Sequence, residues 1–120
     1  MALVVPNPSC CGSLSVEIVR TSSPTTLHLR GELDLGSAQV VGEVLMQTEL
    51  EETTPLVVDL SEVTFMDCSG LSVLLGAFNR ACRDDRELFI TNARPQVRRI
   101  FALTGCKYLL ADPARETLKA

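Results

Sequence analysis

The stretch Pro55-Leu-Val-Val-Asp-Leu60 limits most strongly what this chain can become. It is a compact run of valine and leucine, too short for a helix, and it reads as a buried central strand. A central strand needs neighbours on both sides, so the rest of the chain has to supply them. Ser61-Glu-Val-Thr-Phe-Met66 carries the chain on to the segment "TFMDCSGLSVLLGAF", Thr64 to Phe78. There a strand end meets an apolar helix, with Asp67, Cys68, Ser69 and Gly70 at the junction.

Upstream, Leu14-Ser-Val-Glu-Ile-Val-Arg20 alternates apolar and polar residues, as a half-buried strand does. Thr21-Ser-Ser-Pro24 is a turn cluster, and Thr26-Leu-His-Leu-Arg30 is a second strand closed by Gly31. The short connection makes the pair an antiparallel hairpin. A helix is expected from about Gly36 to Glu51, with Ala38, Val41, Leu45 and Thr48 on its inner stripe and Val44 beside them. Either Ser37 or Asp34 can cap its start.

Downstream, the helical pattern from Ser69 to Arg83 places Leu71, Leu74, Leu75, Phe78, Ala81 and Cys82 on one face. Glu87 to Thr91 is a further strand, and Asn92-Ala-Arg-Pro95 opens a third helix, since proline suits a first turn. Val97, Ile100, Phe101 and Thr104 form its inner stripe, and Gly105 stops it. Tyr108-Leu-Leu110 is a short apolar segment, and a last helix runs from Asp112-Pro113 to about Lys119. The order β-β-α-β-α-β-α-α defines an α/β domain. Its parallel strand–helix–strand units require right-handed crossovers. The expected architecture is a small mixed sheet of four or five strands with helices mainly on one face. Residues 1–13 read as a flexible N-terminal tail and 14–120 as the domain.

Composition closes off several function classes. With a net charge of -4, the chain has no basic footprint for nucleic acid and no polybasic patch for anionic lipid. No apolar run reaches the length of a membrane span. Cys10, Cys11, Cys68, Cys82 and Cys106 show neither zinc-ligand nor C-x-x-C spacing, which reads as reduced thiols in a cytoplasmic protein without metal or cofactor. The single histidine, His28, alternates with Leu27 and Leu29 as an exposed strand residue. A histidine-based hydrolase is therefore unsupported, and no enzyme is expected.

In a sheet of this kind, partners meet the carboxyl ends of the strands. Three loops are expected there: Gly31–Gly36 with Glu32 and Asp34, Met66–Gly70 with Asp67, Cys68 and Ser69, and Asn92–Pro95 with Arg94. Asp67 precedes the helix and can accept from its first free N–H groups, which is a sufficient structural role by itself. The same position suits a switch. A phosphate on a hydroxyl at a helix start lies at the positive end of the helix dipole. It adds about -1.5 to -2 charge to an acidic rim, which repels a docked partner. A thiol at a helix start, such as Cys68, is also a candidate reactive group.

"LRGELDLGSAQ", "LVVDLSEVTFMDCSGLSVLLGAF" and "VRRIFALTGCKYLL" together resemble the STAS domain of bacterial anti-sigma factor antagonists, from about Leu14 to Leu110. The resemblance implies partner switching. The bare antagonist binds an anti-sigma factor that is also a serine kinase of the GHKL type, and so frees a sigma factor. Phosphorylation ends that binding, and a serine phosphatase restores it. Glu32, Asp34, Asp67, Gly70 and Leu71 match the family's partner-facing pattern, and Cys68, Ser69 and Arg94 are expected beside them. The usual acceptor serine directly follows the Asp, and here that residue is Cys68, which no serine kinase modifies. Either Ser69 has taken over as acceptor, or the switch is a redox change at Cys68. Ser72 stands where the family often has glycine. The alternative role is a STAS docking subunit of another assembly, a lipid-transport ATPase or a stress-signalling complex, without a phosphorylation cycle.

Overall fold

The computed structural model describes residues 14–19, 24–51 and 55–110. The tail read over 1–13, Cys10 and Cys11, and the last helix read over 112–119 lie outside the described residues. Along the chain run β1 (Leu14–Val19), β2 (Thr25–Leu33), α1 (Leu35–Glu51), β3 (Leu56–Met66), α2 (Cys68–Arg83), β4 (Leu88–Thr91) and α3 (Pro95–Leu103), followed by a 3-10 turn at Lys107–Leu109.

The four strands lie in the order β1-β2-β3-β4. β1 and β2 form the expected antiparallel hairpin, Leu14 opposite Gly31 and Val19 opposite Thr26. β2 pairs with β3 and β3 with β4 in parallel, each across a helix. A single bridge between Ile90 and Leu110 adds the beginning of a fifth strand beside β4.

Alternation along the strands sets the two faces. Val16, Ile18, Leu27, Leu29, Val58, Leu60 and Ile90 are buried in one cluster with Val41 and Leu45 of α1, Leu71 and Leu74 of α2, and Val97 and Phe101 of α3. Each fully buried aliphatic side chain contributes about 1.5–3 kcal/mol, and this cluster is the main source of stability. Among the described residues no helix packs on the other face. Across it Arg30 lies 3.5 Å from Glu17 and also pairs with Glu62, while His28 Nδ1 lies 3.2 Å from Asp59 Oδ2. Among the described residues, helices therefore cover the central run of β3 on one face only. Val57 and Asp59 are half-buried on the open side, where Asp59 has a polar partner.

Three details differ from the sequence reading. β2 does not stop at Gly31 but continues to Leu33. Gly31 takes φ 109, a left-handed value open to glycine, and the pairing register shifts there, so the strand bends and goes on. On α2 the buried stripe runs Gly70, Leu71, Leu74, Ala77 and Ala81, which leaves Cys82 about 100° further round and exposed. Thr104 is exposed too. It ends α3, and its hydroxyl donates back to the carbonyls of Ile100 at 2.7 Å and Phe101 at 3.2 Å.

Candidate functional site: a shared helix start at the sheet edge

β2 and β3 end side by side, Leu33 opposite Met66. After each, one residue turns the chain into a helix: Asp34 into α1 and Asp67 into α2. Both aspartates use their carboxylates on backbone. Asp34 Oδ1 accepts from Ser37 N–H at 3.1 Å, and Ser37 Oγ accepts from Asp34 N–H at 3.0 Å. The two residues that compete for the cap in sequence thus share it, as a reciprocal capping box. The buried Ser37 hydroxyl also donates to Glu32 O at 2.8 Å.

Asp67 does more than cap its own helix. Oδ1 accepts from Ser69 N–H at 2.9 Å and Gly70 N–H at 3.1 Å, while Oδ2 accepts from Leu35 N–H at 3.2 Å, in the first turn of α1. One carboxylate therefore fixes the starts of two helices, and its negative charge sits at the positive ends of both helix dipoles. The Asp67 N–H donates to Leu33 O at 3.3 Å, which continues the strand pairing into the turn. Replacing an N-cap Asp by Ala costs about 1 kcal/mol, and losing the bond to Leu35 adds about 1 more.

Gly70 explains the close approach of α2. A Cβ at this position would lie 2.6 Å from both Cγ and the carbonyl O of Leu33, and 3.1 Å from Met66 Cγ. Only glycine lets the first turn of α2 rest on the ends of β2 and β3. Leu71, next along, is buried.

On this rigid base Cys68 is exposed and Ser69 is half-buried, at the first and second positions of α2. One turn on, the exposed Ser72 donates its hydroxyl to Cys68 O at 2.9 Å. Glu32 lies in the last part of β2 rather than in a loop, half-buried beside Phe65 of β3. Glu32, Asp34, Asp67, Cys68, Ser69, Gly70 and Leu71 thus converge on one edge, with Gly70 and Leu71 beneath its surface.

Arg94 does not join them. β4 ends at Thr91, opposite Asp59, while β3 runs on to Met66, seven residues further. Arg94 is exposed below that end, and its Nε donates to Ser61 O at 2.6 Å. At about 3.3 Å per residue the Ser61 backbone is roughly 20 Å short of Asp67. Arg94 therefore braces β3 at Ser61, and Gln96, two residues on, places its Nε2 3.5 Å from Thr64 O, so the start of α3 runs alongside β3 toward the junction.

Two apolar residues at this edge escape a sequence reading. Leu35 is 77% exposed and Phe65 is 49% exposed. Leu35 lies off the buried stripe of α1, a signal present in the helical period. Phe65 carries no such signal, because simple alternation puts it on the same face as the buried Val63. The register shift at Gly31/Glu32 turns it outward.

Among the described residues no group of His, Cys, Asp and Glu is arranged to hold a metal ion, and no helix is long and apolar enough to cross a membrane. The open charged sheet face, the helix-covered face and the doubly capped edge describe a small α/β domain whose prepared feature is a surface. The STAS domain family profile matches residues 15–119, and the chain belongs to that family. Among curated relatives, the anti-sigma-B factor antagonist of Staphylococcus aureus is 29% identical over 98 residues, covering 82% of this chain and 91% of the relative. Among solved structures, the anti-sigma factor antagonist SpoIIAA in its unphosphorylated form superposes with a TM-score of 0.70 at 19% identity, covering 86% of this chain and 91% of that one. The phosphorylated form of SpoIIAA, a Bacillus protein, gives 0.63 at 17% identity, covering 87% and 97%. An anti-sigma factor antagonist from Mycobacterium paratuberculosis gives 0.72 at 21% identity, covering 81% and 82%. The fold expected from the sequence is the fold these proteins share.

Proposed function

We propose that this chain is a bacterial, cytoplasmic anti-sigma factor antagonist, a non-enzymatic regulator of transcription. Its partner is an anti-sigma factor that doubles as a serine kinase of the GHKL type. Docking uses the edge formed by Glu32, Asp34, Asp67, Cys68 and Ser69, with exposed Leu35 and Phe65 supplying apolar contact. The observation that carries this reading is the placement of Cys68 and Ser69 at the surface of a helix start that Asp67 holds rigid, in a chain of this family.

Ser69 is the phosphate acceptor in this reading, and a serine phosphatase reverses the modification. A phosphate on Ser69 would share the first turn of α2 with the Asp67 carboxylate, which already takes the N–H groups of Ser69 and Gly70. The new charge therefore finds few free backbone donors and is directed at whatever docks on the edge. The test is incubation with a purified GHKL-type anti-sigma kinase and ATP, read by intact mass and by native gel. One phosphate on the wild type, none on Ser69→Ala, and loss of the complex on modification support the assignment. Labelling that persists in Ser69→Ala and disappears in Ser72→Ala moves the acceptor one turn along and refutes it.

A second reading has its own observation. The exposed residue directly after the capping Asp is a thiol, not a hydroxyl. A STAS docking subunit of a larger assembly, such as a lipid-transport ATPase or stress-signalling complex, needs no phosphate acceptor there. Recovery of an ATPase subunit without any kinase in a pull-down favours that role.

A further inference from the structure

The chain as a whole is acidic, yet from Leu88 to Leu110 it carries Arg94, Arg98, Arg99 and Lys107 and no Asp or Glu. On α3 the exposed side chains gather opposite buried Val97 and Phe101. Arg98 and Ala102 are one turn apart, as are Arg99 and Leu103, so these four adjoin on one outer face. Leu103 is 78% exposed there. Arg94 stands one turn before Arg98, held by its Nε on Ser61 O. None of the four cations pairs with a carboxylate among the described residues, where the ion pairs use His28, Arg30, Arg80 and Arg83. The arrangement works against the helix. Like charges one turn apart repel, and a first turn favours acidic residues, of which α3 has none. A face that breaks local rules without a compensating contact in the fold suits a negative group brought from outside.

Charge and size select the occupant. Three of the four cations are arginines, whose planar forks take carboxylates by paired bonds. A long polyanion such as nucleic acid would run past a helix of 9 residues, about 13 Å, onto a chain of net charge -4, and its phosphates give Leu103 nothing to pack on. A second copy is a poor source of carboxylates. Glu17 and Glu62 are taken by Arg30, Glu49 by Arg80 and Asp59 by His28, while Asp34 and Asp67 cap helices. Residues 111–120 bring no net negative charge either, since Arg115 and Lys119 balance Asp112 and Glu116. We infer that the outer face of α3 is a docking surface for an acidic segment of a partner protein, rich in Glu or Asp around one aliphatic side chain. Its carboxylates meet Arg94, Arg98 and Arg99, and its apolar side chain rests on Leu103 and Ala102.

The test is an NMR titration of the full 15N-labelled chain, at about 0.15 M salt, with a synthetic peptide of about ten residues, Glu-rich with one central Leu. A peptide with Lys in place of each Glu and an oligothymidine of similar length serve as controls. Shifts concentrated in 94–103, affinity that falls as salt rises, and no binding of the Lys peptide are expected. The Arg98→Glu, Arg99→Glu double variant changes two exposed residues, so its fold is expected to match the wild type by circular dichroism, while its affinity falls at least about ten-fold. Leu103→Ser is expected to lose at least about three-fold. Arg98→Gln, Arg99→Gln removes the charge without reversing it and is expected to weaken binding as well. Shifts centred elsewhere, no binding, or equal binding by the double variants or by Leu103→Ser overturn the inference. So does tighter binding of the oligothymidine, because the occupant would then be a nucleic acid, and so does self-association of the wild-type chain that Arg98→Glu, Arg99→Glu abolishes, because it would then be a second copy.

Discussion

Gly70→Ala adds one methyl group where the chain leaves no room for it. The new Cβ meets the Leu33 carbonyl oxygen at 2.6 Å and Leu33 Cγ at the same distance. A side chain tip can swing away from such a contact, but the carbonyl belongs to β2 and cannot. The first turn of α2 must lift, which strains the bonds from Asp67 to Ser69 and Gly70. Overpacking of this kind costs about 3 kcal/mol at the upper end of the usual range. The gain in helix propensity from glycine to alanine offsets about 1 kcal/mol. The net expectation is a loss of about 2 kcal/mol, or roughly 8 °C in Tm for a domain of this size. Urea unfolding followed by circular dichroism measures it. Gly42→Ala is the internal control, since its Cβ meets only Val73 Cγ1 at 3.8 Å and Cγ2 at 3.9 Å, ordinary contact distances. That variant is expected to gain about 0.5–1 kcal/mol from propensity alone. If Gly70→Ala proves as stable as Gly42→Ala, the close packing of α2 on the strand ends is not what requires glycine, and the reasoning fails.

Asp67→Ala is expected to lose about 2 kcal/mol by urea unfolding, and Asp67→Asn less, since its amide oxygen can still cap α2. Equal stability of Asp67→Ala and wild type would refute the double cap. Because Asp67 has this structural task, charge reversal there disturbs the edge itself, and Ser69 variants are the cleaner probes of docking. Arg80 joins Glu49 by two bonds, Nε–Oε1 at 2.8 Å and Nη2–Oε2 at 2.9 Å, tying α2 to α1, and the Glu49 carboxylate raises the Arg80 pKa above its usual value. A double-mutant cycle with Arg80→Met and Glu49→Gln is expected to give a coupling of about 1 kcal/mol, reduced by salt, and a coupling of zero would show the pair to be incidental. Cys68 and Cys82 stand at opposite ends of α2, about 21 Å apart along its axis. Mild oxidation is therefore expected to give no Cys68–Cys82 disulfide within one chain, by peptide mapping under non-reducing conditions. Its appearance would require α2 to unfold.

Much of the fold was legible because the chain keeps its periods. Leu14–Val19 alternates as a strand with one wet face, and Ala38, Val41, Leu45 and Thr48 recur as a helix stripe, so each reading carries over directly. The readings that failed lie where a local device breaks the period. Gly31 does not end β2, which moves Glu32 into the strand, and the extra residue of β3 opposite the Gly31–Glu32 step, Thr64, turns Phe65 outward. Arg94 reads as part of the junction because all three loops follow strands. The unequal lengths of β3 and β4, which separate them, depend on how far the strands pair and not on any local motif. At the junction, sequence placed a cap at Asp67 but not its second bond to Leu35, since that contact spans 32 residues. The need for glycine at position 70 is likewise set by the packing of α2 on Leu33, a neighbour only in the folded chain.

The central claim concerns one face, offered to a kinase-type anti-sigma factor while Ser69 is bare and withdrawn when it is charged. Isothermal titration of that partner with wild type, Ser69→Ala and Ser69→Glu reads it most directly. Tight binding by the first two, and loss of at least about ten-fold in affinity for Ser69→Glu with an unchanged circular dichroism spectrum, is the expected result. Equal affinity for all three, with the fold intact, would contradict it.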